Sequence, residues 1–415
     1  MKEQLKTNET YGKYQQLNQE DNTSESILER DVQQNQIKYS LAMFLCGLIN
    51  NTGYVLVATS AQSIAKHFDM ESFMSAFNFS LIFLSIGMVF MNAKLFIKIQ
   101  HKKRIYVAIF LSAVSFIIIG LCTTIEQEYA FYISLLGATL CGCMQSFGEA
   151  TMLGYCKSFS SSLIGFWSSG TGFAGIFGSG FFLVLRALQF TDFWIFITAI
   201  PFLLIYLYNF QWLDNKRKSL SKVNIVEESE NDESTDNLQM SFENMRYVLN
   251  LAWSYSLNLG AVYFFEYFVL TCWADRANPA ITDGNYFETN AYAILAFCYQ
   301  IGVFISRSSL KIIQIKNVTL LTIIQAINCG LWATIAIIYY YSSYQLNIAI
   351  QICLMLWVGL MGGASYVNVN YLIVSGSFLP QNCKELCMCI NSMTNNTGIM
   401  FATIFAMAIS NFWLK

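Results

Sequence analysis

Charge is what this sequence has least of. Asp, Glu, Lys and Arg make up 12% of its 415 residues, against about 25% in ordinary soluble domains, so a solvated surface of normal size cannot be built from it. The net charge of −2 at pH 7 offers nothing to hold a polyanion, and nucleic acid is excluded as a partner. Histidine is scarce as well: His67 and His101 both lie beside charged residues outside the apolar runs and read as solvated. No Walker loop, HExxH or GxSxG pattern occurs, so no enzyme activity, metal or cofactor is expected. The first thirty residues lack the basic and apolar regions of a cleaved signal, which leaves the first membrane helix to direct insertion. The 12 cysteines form no framework either. Nearly all lie in apolar runs, and Cys141 with Cys143, like Cys387 with Cys389, point to different helix faces, so they read as small buried hydrophobes.

What the chain has is apolar length, with 55% hydrophobic residues. Apolar spans run over about 39–60, 73–97, 105–124, 129–153, 163–188 and 190–212, and again over 247–272, 288–306, 317–341, 345–374 and 383–410. The expected fold is an all-α polytopic membrane protein of about eleven transmembrane helices. Residues 1–38 read as a disordered polar tail, 39–212 as a six-helix bundle, 213–246 as a hydrophilic cytosolic loop and 247–415 as a five-helix bundle. A cytosolic N-terminus puts 20 of the 24 Lys and Arg inside, leaving Lys66, Arg186, Arg276 and Lys415 outside. Within the tail, Tyr14-Gln-Gln-Leu17 has the shape of a tyrosine-based sorting signal read by sorting adaptors.

This plan of six spans, a long loop and five spans resembles a two-halved major facilitator transporter short of its last helix. Two faint echoes fit a six-helix offset: Asn50-Asn51-Thr-Gly with Asn258-Leu-Gly, and Thr171-Gly172 with Thr397-Gly398. The fifth span is unusually rich in small residues. Ser168, Gly172, Gly175 and Ser179 recur at helical spacing, a stripe along which another helix can approach closely. Five glycines between Gly170 and Gly180 cost about 1 kcal/mol each relative to alanine. Either static packing or a sliding contact beside a substrate path compensates that cost.

Only Glu149 and Glu266 place a charge well inside a span. At mid-bilayer a charge costs roughly 3 kcal/mol, so each faces a cavity, pairs with a partner or holds a proton. A fixed interhelical hydrogen bond and a proton-coupling role both satisfy that requirement. Asn50 and Asn51 must also find partners, in neighbouring helices or in a ligand. Tyr263, Tyr299 and Tyr366, with Gln300, Asn368 and Asn370, give the second half a similar polar lining, unless the tyrosines are an aromatic stripe of the core. Arg307, at the cytosolic end of the eighth span, reads either as a snorkelling anchor or as a bidentate clamp for phosphate or carboxylate.

Six stretches together resemble the battenin family: LCGLINNTGYVLVATSAQSI, GEAT, FWSSGTGFAG, VYFFEYF, YQIGVFISRSSL and GLMGGASYVN, spread over about residues 40–410. The resemblance implies a lysosomal or vacuolar membrane protein with eleven spans, a cytosolic N-terminus and a major-facilitator-like fold. It also implies a part in clearing glycerophosphodiesters, small anionic or zwitterionic solutes, and links to lysosomal pH and basic amino acids. The alternatives are a non-transporting regulator or a carrier of basic amino acids. Carried over, the positions of interest are Asn50, Asn51, Glu149, the 167–172 segment with Ser168, Ser169 and Thr171, then Glu266, Arg307, Gln325 and Asn368. Family members commonly have an aspartate where this chain has Asn395.

Overall fold

The computed structural model describes residues 30–96, 99–156, 161–223, 241–279, 285–309, 312–376, 378–380 and 383–414. The Tyr14–Leu17 motif and the acidic run 227–236 lie outside the described residues. All regular structure among the described residues is helical. The long helices are α1 (Gln36–His67), α2 (Ser75–Phe83), α3 (Ser85–Lys94), α4 (His101–Cys122), α5 (Glu128–Cys156) and α6 (Ser161–Ala187). They continue with α7 (Asp192–Val223), α8 (Phe242–Phe268), α9 (Ala291–Ser308), α10 (Val318–Ser342), α11 (Ile348–Ser375) and α12 (Lys384–Phe412).

Among the described residues, ten stretches are long and apolar enough to cross a membrane. Helix α12 falls just outside that set because Asn391, Asn395 and Asn396 dilute its apolar run, yet it packs into the bundle along α8 and α2. Several spans differ from their expected outline. The second is broken at Leu84 into α2 and α3, where the Ser85 hydroxyl donates to the Ile82 carbonyl at 2.7 Å. Helix α7 runs on into the polar segment as far as Val223, supported by the Asp214–Lys218 pair at 2.8 Å one turn apart. Helix α1 continues past its apolar run to His67, and the cation of Lys66 suits the negative end of the helix dipole. Helix α8 passes through a π-helical turn, Val269–Trp273, before it ends.

Packing follows the six-span offset. Helix α1 lies along α6 as α8 lies along α12, and α4 lies along α5 as α10 lies along α11. The two main crossings between halves, α6 with α9 and α2 with α12, exchange under the same offset. Glycine makes the closest of these approaches possible. A Cβ on Gly47 would strike the Trp167 carbonyl, and one on Gly170 the Phe44 carbonyl. In the second half a Cβ on Gly398 would strike the Gly260 carbonyl. The tight stripe on α6 therefore includes Gly170 and Gly178, not Gly172. No heavy atom lies within 4 Å of where a Gly172 Cβ would sit, because that position turns away from α1.

Candidate functional site

Five helices, α1, α5, α8, α9 and α11, supply the polar centre. On the first-half side, Asn50 Nδ2 donates to Asn51 Oδ1 and to the Gln145 carbonyl, both at 3.0 Å. Gln145 Nε2 in turn donates to Asn51 Oδ1 at 3.1 Å and to Glu149 Oε2 at 3.0 Å. The register explains the chain: Gln145 and Glu149 are four residues apart and share one face of α5. Gly148, lacking a Cβ, leaves the volume that Asn50 Oδ1 occupies. Asn50 itself turns into the first half, toward a small cavity shared with Ser112, Gln145 and Tyr206.

Across the interface, Glu266 is 2% exposed. The Tyr299 hydroxyl stands beside its carboxylate, and Gly362 supplies the space its Oε2 fills. That Oε2 has no hydrogen-bond partner. Arg307 does not snorkel outward. Its guanidinium lies 4.3 Å from the Tyr366 ring centroid and donates from Nη2 to the Tyr263 hydroxyl at 3.2 Å. Its Nε has no partner, and among the described residues no carboxylate comes within ion-pairing distance of it. The centre thus holds a cation in the neighbourhood of two carboxylates, Glu149 and Glu266, without contact to either.

Tyrosines complete the lining. The Tyr263 and Tyr267 rings stack at 6.2 Å, and the Tyr54 and Tyr267 hydroxyls meet at 3.4 Å across the two halves. Gln145, Tyr54 and Tyr267 are missing from the sequence reading. The signal for Gln145 was its spacing from Glu149, and for Tyr267 its place one turn beyond Tyr263.

The remaining candidates are placed elsewhere. Asn368 holds backbone instead of facing the centre: its Oδ1 accepts from the Ile315 N–H at 2.7 Å and its Nδ2 donates to the Ala364 carbonyl at 2.8 Å. Gln325 is buried between α10 and α11, donating to the Val358 carbonyl at 3.2 Å. Gln300 packs on Gly175 at the α6–α9 crossing, and buried Ser179 donates to the Gly175 carbonyl at 2.6 Å. Ser168 and Ser169 are exposed at the start of α6, and Thr171 donates to the Ser168 carbonyl at 2.8 Å.

At the end of the bundle where α1 and α6 finish, polar bonds join the two halves. Gln62 Nε2 donates to Asp275 Oδ1 at 2.8 Å and to the Asn278 carbonyl at 3.0 Å. The Tyr286 hydroxyl donates to the Leu183 carbonyl at 2.6 Å, and Arg276 Nη2 to the Glu71 carbonyl at 3.0 Å. Nearer the start of α6, the α6–α9 crossing carries a ring contact instead, Phe173 with Phe304 at 5.7 Å.

This chain is similar to the battenin of Dictyostelium discoideum, 29% identical over 91% of this chain and 95% of that one. It is also similar to the BTN1 proteins of Kluyveromyces lactis and Saccharomyces cerevisiae, 28% and 24% identical over 90% and 88% of this chain and 94% and 92% of theirs. Among solved structures, the fold resembles a POT family transporter in complex with a thioalcohol-conjugated peptide, with TM-score 0.59, 11% identity and coverage of 90% and 91%. It also resembles a bacterial homologue of the human lysosomal transporter Spinster, inward-facing and unoccupied, with TM-score 0.52, 14% identity and coverage of 88% and 81%. At these identities the likeness shows a transporter-like major facilitator fold, as expected. The profile of the CLN3 protein family matches residues 41–414, and the chain belongs to that family.

Proposed function

We propose that this protein is a lysosomal or vacuolar membrane transporter that exports glycerophosphodiesters to the cytosol by alternating access, its 39–212 and 247–415 halves rocking about the polar centre. The observation that carries the reading is Arg307: a guanidinium set on a tyrosine ring inside a membrane bundle, with no carboxylate paired to it. Such a group favours an anion that brings its own charge, and a phosphodiester fits its fork of donors. Amides and tyrosine hydroxyls around it suit glycerol hydroxyls. The family match and the transporter fold of the solved neighbours support transport over a purely regulatory role. Arg307 also weighs against a carrier of basic amino acids, because the solute's cationic side chain would meet a like charge at the centre.

Glu266 carries the coupling proton in this reading, since its free Oε2 can take a proton without breaking a hydrogen bond. Glu149 is engaged by Gln145 and serves the first-half network. The test is uptake of a radiolabelled glycerophosphodiester into liposomes holding the purified protein, with and without a pH gradient. Saturable, gradient-dependent uptake is expected. No uptake above protein-free liposomes under any gradient would overturn the reading, and competition by arginine at equal potency would favour the amino-acid alternative.

A further inference from the structure

A second concentration of charge lies far from the polar centre, where α4 and α7 reach the cytosol. Helix α4 opens with His101, Lys102, Lys103 and Arg104, and α7 closes near Lys216, Arg217 and Lys218, against one carboxylate, Asp214. The two ends are held in register by Gln211 Nε2, which donates to the Tyr106 hydroxyl at 3.0 Å. Asp214 is bonded within its own helix, to Lys218 at 2.8 Å and to Arg217 at 3.9 Å. Arg217 also lies 5.1 Å from the centroid of Tyr155, whose ring faces His101 at 5.8 Å.

Three cations in the first turn of a 22-residue helix are the wrong sign for its dipole. No acidic residue stands in that turn, and Gln100 supplies no side-chain cap for the helix's unpaired N–H groups. Arg104 adds an independent sign. It is 5% exposed, donates from Nη1 to Asn92 Oδ1 at 3.1 Å, and keeps a buried Nε with no partner. Retention of positive charge on the cytosolic side needs only exposed, mobile lysines. It does not account for a buried guanidinium left short of an acceptor.

We infer that the cytosolic ends of α4 and α7 form a binding site for the phosphate-bearing headgroup of an anionic lipid in the cytosolic leaflet, held by the α4 first turn and Arg104 with Lys102 and Lys103 around it. The position at the membrane edge favours a lipid over a free anion, since that leaflet carries the anionic phospholipids.

The test uses the full-length protein in nanodiscs of phosphatidylcholine alone or doped with a fluorescent phosphatidylinositol monophosphate. Binding of the doped lipid is expected, weakened on the order of twentyfold in Lys102→Gln/Lys103→Gln, about fivefold for each lysine. Lys316→Gln, which removes a cytosolic charge from the other half, is expected to leave it unchanged. Arg104→Gln, if it folds, should weaken binding further than either lysine alone. Equal loss in the Lys316 variant, or no loss in the double variant, would overturn the site. Inorganic phosphate is the second arm: protection of the protein by phosphate alone, with the lipid adding nothing, would overturn the lipid assignment. Because binding is read without transport, its failure is separate from failure of the transport reading.

Discussion

Glu149 and Glu266 are the same side chain, each set inside an apolar helix, and their surroundings differ. Glu149 accepts from Gln145, which also serves Asn51, and Asn50 closes the set onto the α5 backbone. Every link is an amide, and amides do not titrate. Glu266 has one tyrosine hydroxyl, one orphan oxygen and an unpaired guanidinium within its field. A satisfied network fixes helix positions, whereas an unsatisfied one keeps free energy available for a ligand or proton that completes it. The contrast supports the proposal that the first half of the centre serves structure and the second chemistry.

The comparison is best attacked at Arg307. Arg307→Ala removes the group the solute is meant to complete, and transport in liposomes is expected to fall at least about a hundredfold with the melting temperature little changed. A variant that still transports would move the chemistry away from the second half. Next in size is Glu266→Gln, expected to lower gradient-driven transport on the order of tenfold and to make the residual rate the same with and without a pH gradient. Glu149→Gln should keep its gradient dependence, and loss of that dependence in both variants would erase the distinction drawn between them.

Smaller effects concern stability. Gln145→Ala leaves Asn51 and Glu149 each short of a donor and is expected to cost about 1–2 kcal/mol in detergent unfolding, with transport reduced only in proportion to folded protein. Gly170→Ala against Gly172→Ala tests the α6 face: the first meets the Phe44 carbonyl and should lower the melting temperature by several degrees, while the second enters open space and should change it least of all. A large loss at Gly172 would return it to the packing stripe.

Much of the fold was legible from sequence because a bilayer leaves few choices. Apolar run length set the spans. Glu149, Glu266 and Arg307 could be singled out for the same reason, as charges in apolar runs are rare. Their partners were less legible. Asn368 looks like a lining residue in sequence, and only the fold of the 312–317 turn against α11 reveals that it holds backbone.

Composition and periodicity alone determined that this chain is an all-helical membrane protein of many spans, and that two carboxylates must be accommodated inside them. Tertiary structure decided that Arg307 turns inward beside Tyr263 and Tyr366 without meeting either carboxylate, and which glycines on α6 are packed. The physical reason is that hydrophobic patterning constrains one helix at a time, while side-chain pairing depends on rotation and register between helices. Those are fixed by contacts such as Gly47 with Trp167 that join residues over a hundred positions apart.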